Sequence, residues 1–444
     1  MRTLLRLCFC LAVISAVLTS LQSDRTAVAG DGVPTEVPQG QLDFNGCVRL
    51  ALRQSPYLTS SSLDIDLRKL DETDSRFGMF PTVSLRTRYY VNEPNFDYYS
   101  GDQKPYKLGF YLDRYNPIES YISLQANRLI TQMAKLAHSM VITKYIQRLG
   151  GAFLELESAE RLESVQKQVV ETAERSLAYM KTRLTEGSVT SLEVQLAEHE
   201  LELARVDLQG VEETRNTILD GIKGVLGLKS GEVLMLDCRN STSQVLSSFD
   251  PAGARLDTAQ SNSYDLMLQQ LKVELQSKNI LLARARYLPT FLAGIENPDP
   301  LSNPRNKDYY FYFGFEIPIW DGLQRQRNIT RQQLLLKQFA SETQTKEIDL
   351  AAAWRTANEK YQKVGSELRL ARNYVEVASL KKRQAQIAYE QARQPYSSYL
   401  AEAGKLLDAS KNSEMKEVEH AKAALAVYAL SGELSRRFVA PQSF

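Results

Sequence analysis

The sequence predicts a mainly α-helical chain with a small β part, built as one unit written twice. Three observations predict it. Residues 118–186 and 320–393 contain no proline and are rich in good helix formers. Short segments between the helical stretches switch to a period of two. The same signals also recur at a nearly fixed offset along the 444 residues.

The recurrence is one of order and spacing. Ala51-Leu52-Arg53-Gln54-Ser55-Pro56-Tyr57-Leu58 falls on Ala259-Gln260-Ser261-Asn262-Ser263-Tyr264-Asp265-Leu266 at an offset of 208. The same offset places Leu63 on Leu271, Arg76 on Arg284 and Pro81 on Pro289, and Gly187 meets Pro395. Pro117 meets Pro318 at 201, which fits a shorter loop in the second half followed by one extra heptad in its long helix. The first repeat, 30–240, is expected to hold a helix over 45–80, strands at 82–92 and 107–116, a long helix over 118–186 and a helix over 190–227. The second, 241–434, repeats this as a helix over 256–287, strands at 289–297 and 308–317, a long helix over 320–393 and a helix over 397–432. Residues 435–444 form a tail.

At 1.5 Å per residue the long helices reach roughly 100–110 Å, and two of the shorter ones laid end to end match one of them. Helix 190–227 carries two heptad seams. Leu192, Leu196, His199, Leu203 and Val206 form one, and Ala197, Leu201, Ala204, Leu208 and Val211 begin the other. Two seams on nearly opposite faces mean a helix gripped on both sides, as in a closed ring of helices, and a long helical bundle fits the same periodicity.

Residues 1–29 have the layout of a secretory signal peptide. Arg2 and Arg6 precede an apolar run from Leu7 to Leu18, and Ala27-Val28-Ala29 offers a cleavage site. The run is too short to span a bilayer, and no other stretch approaches the ~20 apolar residues required. Cys8 and Cys10 leave with this segment; Cys47 and Cys238 remain, and whether they pair is left open. Removal of 1–29 also takes three arginines and one aspartate, turning a formal charge of +1 into −1.

After Pro81, Val83, Leu85, Thr87, Tyr89 and Val91 alternate with polar neighbours, as do Leu108, Phe110 and Leu112. Phe311, Phe313, Phe315, Ile317 and Ile319 do the same in the second half. About twelve of the 22 tyrosines fall in 81–121 and 287–320, concentrating aromatic residues on these segments. Segments of ~10 residues with one apolar, aromatic face are the signature of outer-membrane β-barrel strands. Leu85, Tyr89, Phe110, Phe311, Phe313 and Phe315 are therefore the lipid-facing candidates. Four strands cannot close a barrel, and an open edge cannot sit in lipid. Three chains would supply about twelve strands, within the range of known barrels.

At this point the sequence resembles the TolC family of outer-membrane efflux and secretion channels. The most specific match is Phe315-Glu316-Ile317-Pro318-Ile319-Trp320-Asp321-Gly322-Leu323-Gln324-Arg325, similar to that family's strand-to-helix junction. A second is Gly187-Ser188-Val189-Thr190-Ser191-Leu192-Glu193, similar to its periplasmic turn. The junctions at Pro81, Pro117 and Pro289 also fit. The resemblance implies a homotrimer: a 12-stranded barrel in the outer membrane, and a helical α-barrel through the periplasm ending in a gated aperture. The implied partners are a periplasmic adaptor (membrane fusion protein), an inner-membrane transporter and outer-membrane lipid. Gly30 rather than a cysteine follows the cleavage site, so no lipid anchor is implied. Aperture candidates are Gly187, Thr190, Ser191, Glu193, Pro395, Tyr396, Ser397 and Glu402, with Glu193 matching a position where the family often carries an acid. The second turn departs from the pattern, since Gln394-Pro395-Tyr396 replaces the usual glycine.

The expected function is the exit duct of a tripartite pump or a type I secretion system. A periplasmic coiled-coil adaptor, or a structural protein without a barrel, is the competing reading. Neither explains two helical hairpins separated by aromatic strands. The near-zero charge gives no basic surplus for nucleic acid. His138, His199 and His420 each stand alone, with no metal-ligand spacing, catalytic constellation or cofactor motif. Gly150-Gly151 is expected to mark a bend or a close helix contact.

Overall fold

A computed structural model describes residues 42–89, 106–228, 234–238, 241, 255–297, 310–391, 393–432 and 434. The signal segment 1–29, the tail 435–444 and the expected strand ends 90–92 and 308–309 lie outside the described residues. Leu42 and 234–236 belong to a small unit of their own, joined by a parallel bridge between Leu42 and Leu236 and by Leu42 N donating to Met235 O at 2.9 Å. The remainder, from Asp43 to 232 and from Asp237 onward, is the main unit.

The element order of the main unit repeats. The first series is α1 (Phe44–Gln54), α2 (Pro56–Phe77), β1 (Val83–Tyr89), β2 (Tyr106–Tyr115), α3 (Pro117–Thr185) and α4 (Ser191–Leu226). The second is α5 (Leu256–Asn262), α6 (Tyr264–Ala285), β3 (Thr290–Asn297), β4 (Tyr310–Glu316), α7 (Gln324–Glu390) and α8 (Tyr396–Leu430). The four strands form one antiparallel sheet in the order β1-β2-β3-β4. Helix α3 packs on α2 and α4 and also on α6 and α8, while α7 packs on α6 and α8.

Two expected helices are corrected. Helix 45–80 is broken at Ser55 and ends at Phe77; helix 256–287 is broken at Ser263 and ends at Ala285. Ser55 has φ −66°, ψ 117°, and Ser263, 208 residues later, has φ −68°, ψ 114°. Proline at 56 pushes the residue before it out of the α region. Ser263 has no following proline; its hydroxyl instead caps α6 by accepting from Leu266 N. The second long helix begins at Gln324 rather than 320, because Asp321 to Leu323 form a turn. Among the described residues, the end of β3 at Asn297 coincides with the expected one, and the other ends shift by one to three residues.

Each break is met by a left-handed glycine that ends the medium helix of its half. Gly227 has φ 77° and Gly432 φ 72°. A Cβ on Gly227 would lie 2.7 Å from Pro56 Cδ, and one on Gly432 would lie 2.5 Å from Asn262 O. Glycine is required there by both conformation and space. Gly227→Ala is expected to cost about 1–3 kcal/mol, read as a lower thermal midpoint by circular dichroism; an unchanged midpoint would show that α1–α2 can move aside.

The core concentrates on the middle of α3, where Ile146, Leu149, Phe153, Leu154 and Leu156 are fully buried with Ile222, Leu226 and Val427. Phe44 meets Phe153 edge-on at 5.4 Å between centroids. Gly150 lets α8 approach, a Cβ there falling 2.9 Å from Leu425 Cδ2, which is the close helix contact expected of the Gly150-Gly151 pair. Cys47 and Cys238 are buried free thiols, both pushed upward by burial, Cys47 to about 12. On α4 only one of the two seams is covered: Ala197, Leu201 and Ala204 are buried, whereas Leu192, Leu203 and Val206 are exposed. Among the described residues no helix is long and apolar enough to cross a membrane.

Candidate functional site

Two regions carry the residues singled out above: the sheet with its helix junctions, and the turns at the far ends of the long helices. In the sheet, register decides which side chains share a face. Val83, Leu112, Ala293 and Phe313 form one row across the strands, and Leu85, Phe110, Ile295 and Phe311 the next. Phe315 pairs with Phe291 on the same face, their neighbour Phe313 stacking on Phe291 at 6.1 Å. Leu85, Phe110, Phe311, Phe313 and Phe315 are 57–70% exposed, so this apolar face is uncovered in the single chain. Tyr89 pairs with Tyr106 at the end of the β1–β2 ladder.

The opposite face is polar. Arg86 pairs with Asp113 and lies over the Tyr111 ring at 5.7 Å, and Arg114 meets Glu316 at 2.8 Å. The Tyr312 ring covers Gly294, where a Cβ would fall 2.6 Å from it. The outer edges of β1 and β4 have no strand partner among the described residues.

Local chemistry fixes how strands join helices. Asn116 accepts from Ile118 N and Glu119 N to cap α3, with Pro117 at its first position, and its amide donates to Ala285 O at 3.1 Å. Pro81 and Pro289 stand between the ends of α2 and α6 and the starts of β1 and β3. Arg325 gathers the second pair of junctions. It donates to Asp321 at 2.6 Å, to Pro318 O at 3.1 Å and to Arg286 O at 3.5 Å, and covers Tyr287 at 5.0 Å. Its hydrogen bond holds the Asp321 carboxyl below the usual carboxylate range. Gly322 and Leu323 both take left-handed conformations in this turn, φ 64° and 63°. A left-handed leucine is sterically costly, and sequence pattern gave no sign of it.

At the helix ends, Gly187 has φ 71° and Ser188 N donates to Arg183 O at 2.9 Å, closing α3. Thr190 caps α4. Its backbone N donates to Glu193 Oε2 at 2.9 Å, while Glu193 N donates to Thr190 Oγ1 at 3.4 Å. The Glu193 carboxylate thus serves its own helix in a capping box, with Ser191 exposed beside it. In the other turn Pro395 precedes α8, Ser397 is exposed, and Glu402 pairs with Lys405 at 2.7 Å.

The structure brings Tyr396 into contact with the first hairpin. Tyr396, 4% exposed, packs with Met180, Val194 and Ala197, and its hydroxyl lies 2.6 Å from Ser176 Oγ. Burial pushes the Tyr396 phenol up to about 12, so it stays a neutral donor. Tyr389 and Tyr399 surround it at 5.4 and 5.9 Å between ring centroids. Met180, Ser176, Tyr389 and Tyr399 escaped the sequence reading. Tyr396 and Tyr399 are three apart on one helix face, the one local signal that pointed to this cluster.

No protein-family model and no curated relative matches the chain. Solved structures do. CusC, described for its conformational changes in folding and transmembrane channel formation, superposes with TM-score 0.76 at 16% identity, covering 88% of this chain and 92% of that one. The outer membrane protein VceC of Vibrio cholerae gives 0.72 at 13% identity, with 88% and 96% covered. The Campylobacter jejuni outer membrane channel CmeC gives 0.70 at 15%, with 88% and 85% covered. The chain has the fold of these channels.

Proposed function

We propose that the protein is an outer-membrane channel of the TolC family, the exit duct of a tripartite efflux pump or secretion system. Three copies close a twelve-stranded barrel in lipid, and their helices form one tube through the periplasm. The observation that carries this reading is the sheet: a continuous exposed apolar face on four strands whose two outer edges lack partners. An exposed aromatic face needs lipid or protein against it, and open edges in lipid need neighbouring strands. Further copies answer both. The uncovered seam of Leu192, Leu203 and Val206 on α4 finds its partner in the same assembly. The recurring break and glycine in each half support a duplicated unit, so that three chains offer six similar staves.

The passage is a passive conduit, with specificity left to an adaptor and inner-membrane transporter docking at the hairpin ends. Closure at that end is assigned to the Tyr396 cluster, which ties α8 to α3. Glu193 serves as a cap to α4 and keeps its carboxylate charge at the hairpin end.

Cysteines placed at Thr87 on β1 and Phe311 on β4 of one chain test the closure. Within a chain these strands are three strand spacings apart, about 14 Å, beyond the reach of a short bis-maleimide. In the outer-membrane fraction the linker is expected to give a ladder of dimers ending at trimers. Only monomers, or a ladder running on past trimers, would defeat the closed three-chain barrel.

A further inference from the structure

Between α3, α4 and α8, one to several turns from the hairpin ends, lies a cavity of about 440 Å³. Its walls are largely apolar, with Val165 and Val169 from α3, Leu203 from α4, and Leu400 and Leu407 from α8. Tyr396 and Tyr399 line it on the side toward the turns. Two polar groups among these walls lack what they need.

Gln166 is 1% exposed and lies along the cavity wall; its amide N donates to Ala204 O at 3.1 Å, but its Oε1 accepts from nothing among the described residues. A buried acceptor left unpaired costs about 1–3 kcal/mol, so this oxygen is a standing demand for a donor. Glu200, one helical turn before Ala204 on α4, also lines the cavity and makes no ion pair or hydrogen bond among the described residues. Burial alone lifts its carboxyl, to about 7. The other charged groups do not neutralise it. Asp207 is paired with Lys411 at 3.5 Å, and Lys382 from α7 lines the cavity without altering the Glu200 shift. The α3 wall contributes no charge, and from α8 come only the neutral phenols of Tyr396 and Tyr399.

We propose that this cavity binds a lipophilic organic ammonium, with Glu200 as counter-ion and the aliphatic and tyrosine walls holding the hydrocarbon. An unpaired carboxylate on apolar walls selects a cation carrying N–H donors over an anion or a neutral chain. The aromatic faces of Tyr396 and Tyr399 favour the same charge. All of the described walls come from one chain and none from the strands, so the site does not depend on the barrel. It touches Tyr396 directly, so occupancy would brace the contact between α8 and α3.

The test uses the full mature chain in amphipol, free of detergent, titrated calorimetrically with n-octylammonium chloride at pH ~8, where Glu200 is ionised. The expected result is saturable binding of one ligand per chain, weakened at least tenfold by Glu200→Gln and by lowering the pH to ~5, where octylammonium keeps its charge. Ala403→Trp, which fills the cavity, is expected to abolish binding; circular dichroism checks that both variants fold. Equal uptake of n-octanol and octylammonium, or binding indifferent to Glu200→Gln or to Ala403→Trp, would overturn the assignment. Failure here leaves strand cross-linking unaffected, so the two readings stand or fall separately.

Discussion

Phe313→Arg is expected to remove the protein from the outer membrane, whereas Tyr310→Arg three residues earlier leaves it there. Both positions lie on β4 and both are well exposed, at 66% and 59%. They differ in face. Phe313 stands in the row of Val83, Leu112 and Ala293, while Tyr310 pairs with Glu296 in the row of Arg86 and Gly109. A cationic side chain on the lipid face of a barrel costs ~2–4 kcal/mol near the bilayer midplane. A three-chain barrel would carry that cost three times. On the polar face, at the end of the β3–β4 ladder, the same charge meets water, and little should change. Quantitative blots of outer-membrane and periplasmic fractions decide it. Equal loss for both variants, or equal tolerance, would mean that the sheet has no lipid face.

Tyr396→Ala is the second large effect. The side chain is 4% exposed, and truncating a buried aromatic of this size costs ~3–5 kcal/mol through lost packing. Here much of the loss falls on the contact between hairpins, because the ring packs on Met180, Val194 and Ala197 of α3 and α4 as well as on Tyr389 and Tyr399 of its own hairpin. The variant is expected to show higher single-channel conductance in planar bilayers, as the α7–α8 hairpin end is freed from α3. Tyr396→Phe removes only the bond to Ser176, worth ~0.5–1.5 kcal/mol, and should give a small fraction of that increase. If alanine leaves conductance unchanged, the Tyr396 cluster does not restrict the passage. Glu193→Ala should act chiefly by removing a helix cap, since its carboxylate already bonds Thr190.

What was legible in the sequence and what was not follows from the range of the forces. The strands could be read because a half-covered strand alternates strictly, and Pro81, Pro117, Pro289 and Pro318 bracketed them. The long helices could be read from helix formers uninterrupted by proline. The break at Ser55 had a local sign in Pro56, overridden by the apolar periodicity running through it. Its counterpart at Ser263 had only a weaker local sign, a serine able to cap α6 through Leu266 N; the packing of Gly432 against Asn262, 170 residues away, had none. The two seams on α4 were visible as patterns, but periodicity does not say which one the chain covers itself. Thr190-Ser191-Leu192-Glu193 has capping-box spacing, so the role of Glu193 was present locally. The partnership of Tyr396 with Ser176, 220 residues apart, was not, since only tertiary packing brings those turns together.

The number of chains in the membrane-embedded particle tests the central claim most directly. Native mass spectrometry of the complex extracted from purified outer membranes is expected to give three copies of the mature chain, with the particle conducting ions when reconstituted. A single chain recovered from the soluble periplasmic fraction, or a membrane particle with any other copy number, would contradict it.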